Sequence, residues 1–207
     1  MPEIIDPSQI EHRSFEIITD LLGDTVLDPI QAPIIKRVIH TTADFSYVES
    51  LTFSQSAVEQ GLAALKSGCD IVTDTQMAKA GINKTALARL GGTVHCFMSD
   101  PDVAAEAKRR GITRASVSME KAAELEKPCV FAIGNAPTAL LTLRALLDEG
   151  RLHPALIIGV PVGFVNVVES KEEIIASSAP YIVARGRKGG SNVAAAICNA
   201  LLYQITR

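Results

Sequence analysis

The feature that most constrains the fold of this 207-residue chain is a series of short apolar runs that alternate with segments of helical periodicity. Four of these runs are bounded by glycine, proline or charged residues, as buried strands are. They cover residues 70–73, 129–133, 155–160 and 181–184, and residues 92–97 form a plausible fifth strand. Buried strands that alternate with helices predict an α/β fold, with a mostly parallel β-sheet flanked by helices on both faces.

The segments around these strands predict helices. Helical periodicity covers residues 54–66, 102–110, 137–147 and 191–205. Pro137 stands near the start of the third helix and Gly150 follows its end, as is usual for helix boundaries. Residues 7–22 and 29–43 predict two more helices with no strand between them, which would form an N-terminal helical hairpin that caps one side of the sheet or binds a partner. No repeat, low-complexity tract or linker interrupts the chain, so we predict a single domain over residues 1–207.

Composition and charge exclude several classes of protein. Hydrophobic residues make up 47% of the chain and charged residues 21%, so a sizeable core can be buried and disorder is not expected. No apolar run is long enough to span a membrane, and residues 1–16 are polar and acidic, unlike a signal peptide. The net charge of −3 argues against nucleic-acid binding through bulk charge, although local cations can still bind an anionic small molecule. We therefore expect a cytoplasmic enzyme.

The cysteines and histidines do not predict a metal site. None of the four cysteines forms a CxxC pair and each lies in an apolar run, so we interpret them as buried, reduced thiols. No two histidines have the spacing of metal ligands. His95 lies in an apolar run and is interpreted as a hydrogen-bonded core residue, whereas His12 and His153 are expected at the surface.

Residues 185–191, with the sequence RGRKGGS, carry the clearest binding signal. In open parallel sheets, ligands bind beyond the carboxyl ends of the strands, and this segment follows the last predicted strand. Three cations, Arg185 and Arg187 among them, precede Gly189 and Gly190 at the start of a helix. Cations at a helix N-terminus oppose the helix dipole unless an anion is present. The pattern therefore favours an anion site over a solvated turn, and it matches neither of the glycine-rich nucleotide-binding fingerprints.

Three other features are interpreted as structural from spacing alone. His40 lies late in the 29–43 helix, where it suits a general acid but equally a histidine stabilised by the helix dipole. Asp74 follows the first strand and suits either a cap for the next helix or an orienting group for a ligand, and capping is favoured. Residues 169–172, with the sequence ESKE, predict an ordinary helix start.

Four further polar residues give weak signals by themselves. Lys84 and Arg114 are isolated cations in predicted loops, where a solvated side chain is the default. Arg13 and Ser14 form a polar pair beside an apolar position of the first helix. The residues alone thus predict a parallel α/β domain that binds a multiply anionic small molecule, and they do not predict its reaction.

Seven short motifs, taken in order, carry a resemblance to a known family. They are residues 13–18 (RSFEII), 37–45 (RVIHTTADF), 73–77 (TDTQM), 132–140 (AIGNAPTAL), 159–165 (GVPVGFV), 169–171 (ESK) and 185–191 (RGRKGGS). This series resembles the precorrin-8X methylmutase family over nearly the whole chain. The pairing of GNAPT with PVGFV at this spacing is its most specific part.

The resemblance implies a homodimeric α/β isomerase of cobalamin biosynthesis that needs no metal or nucleotide cofactor. Its substrate and product are corrin-precursor tetrapyrroles. The family moves the ring-C methyl group from C11 to C12 of precorrin-8X or cobalt-precorrin-8, which gives hydrogenobyrinate or cobyrinate. A nucleic acid or a membrane is not an implied partner.

The resemblance also assigns residues. The family's catalytic histidine falls on His40, which reverses the interpretation made from spacing. Its substrate-contacting serine falls on Ser14, and Arg114 matches an arginine near substrate. Residues 41–44 and Lys188 resemble the cobalt-using members. Two alternatives remain at this stage, a non-catalytic corrinoid carrier and a nucleotide-binding α/β enzyme.

Overall fold

The computed structural model describes residues 6–207, so the parts of the predicted domain and of the polar N-terminal segment that fall on residues 1–5 lie outside it. The strands are β1 Leu51–Phe53, β2 Asp70–Thr73, β3 Val94–His95, β4 Cys129–Ile133, β5 Leu156–Gly159 and β6 Tyr181–Ala184. The helices are α1 Ile10–Leu22 (after a 3₁₀ turn, Pro7–Gln9), α2 Ala32–Thr42, α3 Tyr47–Ser50, α4 Ala57–Lys66, α5 Gln76–Gly81, α6 Lys84–Arg89, α7 Pro101–Arg110, α8 Arg114–Ala122, α9 Pro137–Asp148, α10 Val167–Ile175 and α11 Ser191–Thr206. None of these described helices is long and apolar enough to cross a membrane.

The strands form one sheet in the order β1-β6-β5-β4-β2-β3. All neighbouring pairs are parallel except β1 and β6, which are antiparallel. Strands β2 and β4 are neighbours, but the helices that follow them lie on opposite faces of the sheet. This is the topological switch point, where open α/β sheets leave a crevice.

Alternate residues of each central strand face opposite cores. On one face, β-strand side chains such as Ile71, Val130 and Ile158 pack with α2, α4, α5, α6 and α11. On the other, Val72 and Phe131 pack with α8, α9 and α10. Burial on both faces explains why these strands are apolar runs without alternation, and it confirms the predicted α/β fold.

The N-terminal hairpin adds a layer outside α11. Helix α2 buries Ile34, Ile35, Val38 and Ile39 against the core that contains α11, whereas α1 buries only Ile18. The structure therefore confirms a hairpin that caps one side of the sheet, and it places the end of α2 near the start of α11.

The observed elements differ from the predicted ones at several places. Strand β1 was not predicted, because three residues give too short a pattern and the strand forms only by pairing with β6. The 54–66 helix begins at Ala57, because Ser54 continues the β1–β6 pairing through a bond from its N–H to the Tyr181 carbonyl. Lys84 and Arg114 are the first residues of α6 and α8, so their placement in loops was wrong.

Candidate functional site

Four loops at the carboxyl edge of the sheet come together into one rim, which we define as residues 74–76, 134–138, 160–166 and 185–190. The N–H of Gly190 donates to the Val160 carbonyl at 2.9 Å, and the N–H of Gly163 donates to the Arg187 carbonyl at 3.2 Å. On the other side of the rim, the Thr75 hydroxyl lies 2.8 Å from the hydroxyl of Ser191, the first residue of α11. The predicted convergence of these loops is therefore present.

Asp74 follows β2 at the switch point and bonds to the loop that follows β4. Its side chain is buried, and its carboxylate accepts hydrogen bonds from the N–H groups of Gly134 (2.8 Å), Asn135 (2.8 Å) and Ala136 (2.6 Å). Burial raises the pKa of this carboxyl, and the three amide bonds oppose the shift because they stabilise the anion. The following helix, α5, is capped by Thr75 instead. Asp74 thus fixes the loop between β4 and α9.

The three cations of the cationic loop, residues 185–190, differ in whether they have an acidic partner. Arg185 lies 3.4 Å from a Glu172 carboxylate oxygen. Lys188 donates to Asp44 at 2.6 Å and to the Ser46 hydroxyl at 2.9 Å. This contact ties the loop to the chain just beyond α2, and hydrogen bonds from Lys188 and Ser46 lower the pKa of Asp44 to about 2. Arg187 is exposed and forms no ion pair with the described residues.

Two of the three glycines in the loop, Gly189 and Gly190, occupy positions that do not suit other residues. A Cβ at Gly189 would lie 2.1 Å from the Val160 carbonyl oxygen, and a Cβ at Gly190 would lie 2.5 Å from Oδ1 of Asn192. Both residues also have positive φ angles, +158° and +138°. Close approach to the Val160 backbone therefore accounts for Gly189 without a bound ligand, and the positive φ angle accounts for Gly190, whose nearest neighbour is a movable side chain.

Lys171 is a residue of this site that the sequence analysis missed. It is fully buried in α10, and its Nζ donates to the Gly186 carbonyl at 2.7 Å and to the Lys188 carbonyl at 2.9 Å. Burial lowers its pKa to about 8. The available signal was its helical spacing, because Val167 and Ile174, four before and three after it, are both apolar core residues.

His40, Arg13 and Ser14 all belong to the two helices of the N-terminal hairpin. His40 is exposed near the end of α2, and its ring stacks on Phe15 of α1 at a centroid distance of 5.4 Å. The Ser14 hydroxyl donates to the Ile10 carbonyl at 2.8 Å, and Arg13 pairs with Glu16 at 3.1 Å. The contact between Lys188 and Asp44 links this group to the rim.

Arg114 and Lys84 occupy two other positions. The hydroxyls of Thr113 and Thr138 lie 2.8 Å apart, which brings the start of α8, with Arg114, beside the start of α9 at the rim. Lys84 donates to the Ala80 carbonyl at 3.3 Å on α5. In the described part of the chain, no hydrogen bond or ion pair joins Lys84 to the rim or to His40.

The remaining histidines and the cysteines are accounted for by the fold. His95 Nε2 lies 2.8 Å from the Asp70 carboxylate, which confirms the hydrogen-bonded interpretation, and His12 and His153 are exposed as expected. All four cysteines are free and buried, as predicted. Burial raises the pKa of the Cys69 and Cys198 thiols to about 12, so they are poor nucleophiles. Across residues 6–207, no group of three or more histidine, cysteine or acidic side chains is arranged to hold a metal ion.

Comparison with known proteins identifies the family. A family model described as CbiC, precorrin-8X methylmutase, matches residues 9–204. The cobalt-precorrin-8 methylmutase of Salmonella typhimurium is 49% identical, with 99% of this chain and 99% of the relative covered. That of Priestia megaterium is 47% identical, with 97% and 89% covered. The crystal structure of precorrin-8X methyl mutase from Thermus thermophilus superimposes with a TM-score of 0.87 at 38% identity, covering 94% of this chain and 96% of that one. The family model covers most of the chain, and named methylmutases are similar to it over nearly its full length in sequence and in structure. The chain therefore belongs to the precorrin-8X methylmutase family.

Proposed function

We propose that this protein is an isomerase of cobalamin biosynthesis that moves the ring-C methyl group from C11 to C12 of precorrin-8X or cobalt-precorrin-8, giving hydrogenobyrinate or cobyrinate. The observation that carries the proposal is the bond from Lys188 to Asp44. It connects the cationic loop to Asp44, two residues beyond the end of α2, the helix that carries His40. This link supports a shared site for substrate-binding charge and a proton-transfer group.

The rim suits a flat ligand with an apolar body and ionised edges. Four apolar side chains of the rim loops and of α5 are exposed, namely Met77, Val162, Phe164 and Val165. The Arg187 guanidinium lies 6.0 Å from the centre of the Phe164 ring. Apolar side chains of this kind pack against a macrocycle, while arginine side chains bind its carboxylates.

We assign the chemical role to His40. A methyl shift within one molecule needs neither a nucleophile nor an electron donor. Protonation of a ring nitrogen by His40, or a strong hydrogen bond to it, would polarise the conjugated system and assist migration, and the same proton returns to His40 when the product forms. The exposed position of His40, held by its stack on Phe15, leaves its ring nitrogens accessible to a ligand.

The other predicted site residues are proposed to bind or to position substrate. Arg185, Arg187, Gly189 and Gly190 belong to the cationic loop. Ser14, Arg13, Lys84 and Arg114 would contact substrate from the hairpin and from the starts of α6 and α8. Asp74, whose oxygens are occupied by amides, would act by fixing the 134–136 loop. We further propose a cytoplasmic homodimer with one domain over residues 1–207 that needs no added cofactor.

The test is single-turnover conversion, followed by absorbance, with enzyme in excess over precorrin-8X or cobalt-precorrin-8. The wild-type protein should produce the spectral change of the rearranged, extended conjugation. His40→Asn keeps a polar side chain without a titrating proton, and it should slow conversion by about 100- to 10,000-fold while product still binds. A folded wild-type protein that binds the tetrapyrrole and leaves its spectrum unchanged would indicate a carrier instead.

A further inference from the structure

Lys171 is a buried cation without a carboxylate partner. Its side chain has no solvent exposure, and its two hydrogen bonds go to the carbonyl oxygens of Gly186 and Lys188. No ion pair among the described residues includes it, and desolvation is what lowers its pKa. A buried charge is costly unless it is compensated, so its place beneath the cationic loop calls for a physical reason.

The two bonds from Lys171 determine which way the peptide groups of the loop face. No peptide bond of the described chain is cis. In a planar trans peptide the C=O of one residue and the N–H of the next point in opposite directions. Because the carbonyls of Gly186 and Lys188 point towards Lys171, the N–H groups of Arg187 and Gly189 point away from it. Neither N–H has a hydrogen-bond acceptor among residues 6–207.

The charges around the loop leave a positive excess. Arg185 is paired with Glu172, and Lys188 is paired with Asp44. Arg187 and Lys171 have no carboxylate partner in the described structure. Two uncompensated cations beside two N–H groups that have no acceptor there and point away from Lys171 form an environment that favours an anion.

We propose that Lys171 is a positioning residue that holds the cationic loop so that the N–H groups of Arg187 and Gly189 bind a carboxylate of the substrate. This rests on the proposed function, because it names donors within the same site. Both hydrogen bonds of Lys171 go to the backbone of the loop. The carboxylate is bound on the opposite side, through the two N–H groups and the Arg187 guanidinium.

The first test follows the backbone N–H groups directly by NMR. Uniformly ¹⁵N-labelled wild-type protein is titrated with succinate at constant ionic strength. The signals of Arg187 and Gly189 should shift saturably, whereas those of Gly186, whose N–H belongs to a different peptide plane, should shift much less. In Lys171→Met, which keeps a side chain of similar length but loses the donor, the apparent dissociation constant should rise by about 10-fold or more, because the loop no longer holds both N–H groups towards the anion.

The matched control is Lys121→Met. Lys121 is paired with Asp100 and Asp102 at 2.7 Å each and, within the described chain, makes no hydrogen bond to the cationic loop, so its loss should leave the succinate titration unchanged. Lys171→Arg restores a buried cation with several donors and should recover part of the affinity. Because the wild-type titration and Lys171→Arg do not depend on Lys171→Met folding, the proposal remains testable if that variant is unstable.

The second test separates positioning from chemistry. With precorrin-8X or cobalt-precorrin-8, whichever the wild-type protein converts, Lys171→Met should raise KM by about 10-fold or more and change kcat by less than about 3-fold, because it alters binding that is uniform along the reaction. The proposal would be overturned if the wild-type Arg187 and Gly189 signals did not shift with succinate. It would also be overturned if folded Lys171→Met had the same KM and the same succinate titration as the wild-type protein. If the succinate responses are as expected but the wild-type protein converts neither precorrin-8X nor cobalt-precorrin-8, the proposed function fails and the role of Lys171 stands.

Discussion

Replacing Asp74 with asparagine tests whether this carboxylate supports the fold of the rim or binds the ligand. Asp74 is 1% exposed and accepts three backbone N–H bonds, one on one oxygen and two on the other. In Asp74→Asn, one N–H group faces a donor, which costs about 1–3 kcal/mol, and the two remaining bonds lose about 1 kcal/mol each with the charge. The smaller desolvation of an amide offsets part of this, so we expect a loss of about 3 kcal/mol in the free energy of unfolding.

Urea denaturation at fixed protein concentration measures this loss. With a slope of about 2 kcal/mol per molar urea, the midpoint should fall by about 1.5 M. Asp148→Asn is the matched control, because Asp148 is 59% exposed and pairs only with Arg144 and solvent. It should cost less than about 1 kcal/mol. An Asp74→Asn protein that unfolds at the wild-type midpoint but has a raised KM would refute the structural role and restore Asp74 as a ligand-orienting group.

Three other expected outcomes concern the cationic loop. Arg187→Ala should weaken binding of substrate and product alike by about 10-fold or more at low salt, with a smaller effect at high salt in fluorescence or absorbance titrations, because the exposed guanidinium is screened. Gly189→Ala should lower the free energy of unfolding by more than about 3 kcal/mol, since its Cβ would overlap a carbonyl oxygen, whereas Gly111→Ala, which meets only backbone strain, should cost about 1–2 kcal/mol. The Asp44 carboxyl has a lowered pKa, so its stabilising contact with Lys188 should be complete above pH 4 and lost as the pH falls through about 2; an NMR titration midpoint near the usual aspartate value would contradict this.

Three of the central strands and the position of the rim follow from local sequence. Predicted bounds for β2, β4 and β6 agree with the observed ones, because strands buried on both faces must be apolar throughout and end abruptly at polar or glycine residues. The cationic loop was recognisable for a related reason. Cations beside a helix N-terminus are unfavourable unless an anion balances them. Residues 185–191 show this combination of cations and a helix start within seven consecutive positions.

What the tertiary structure decided is which polar groups meet. Strand β1 exists only through its antiparallel pairing with β6, more than 100 residues away along the chain. Asp74 accepts hydrogen bonds from the amides of the 134–136 loop because β2 and β4 are neighbours at the switch point. Lys188 donates to Asp44 because α2 packs on α11. Lys171 becomes a buried support because its helix packs beneath the loop. Periodicity tells which face of an element is buried, but the partner of a polar group depends on crossovers and helix packing, which bring distant segments together and leave no local pattern.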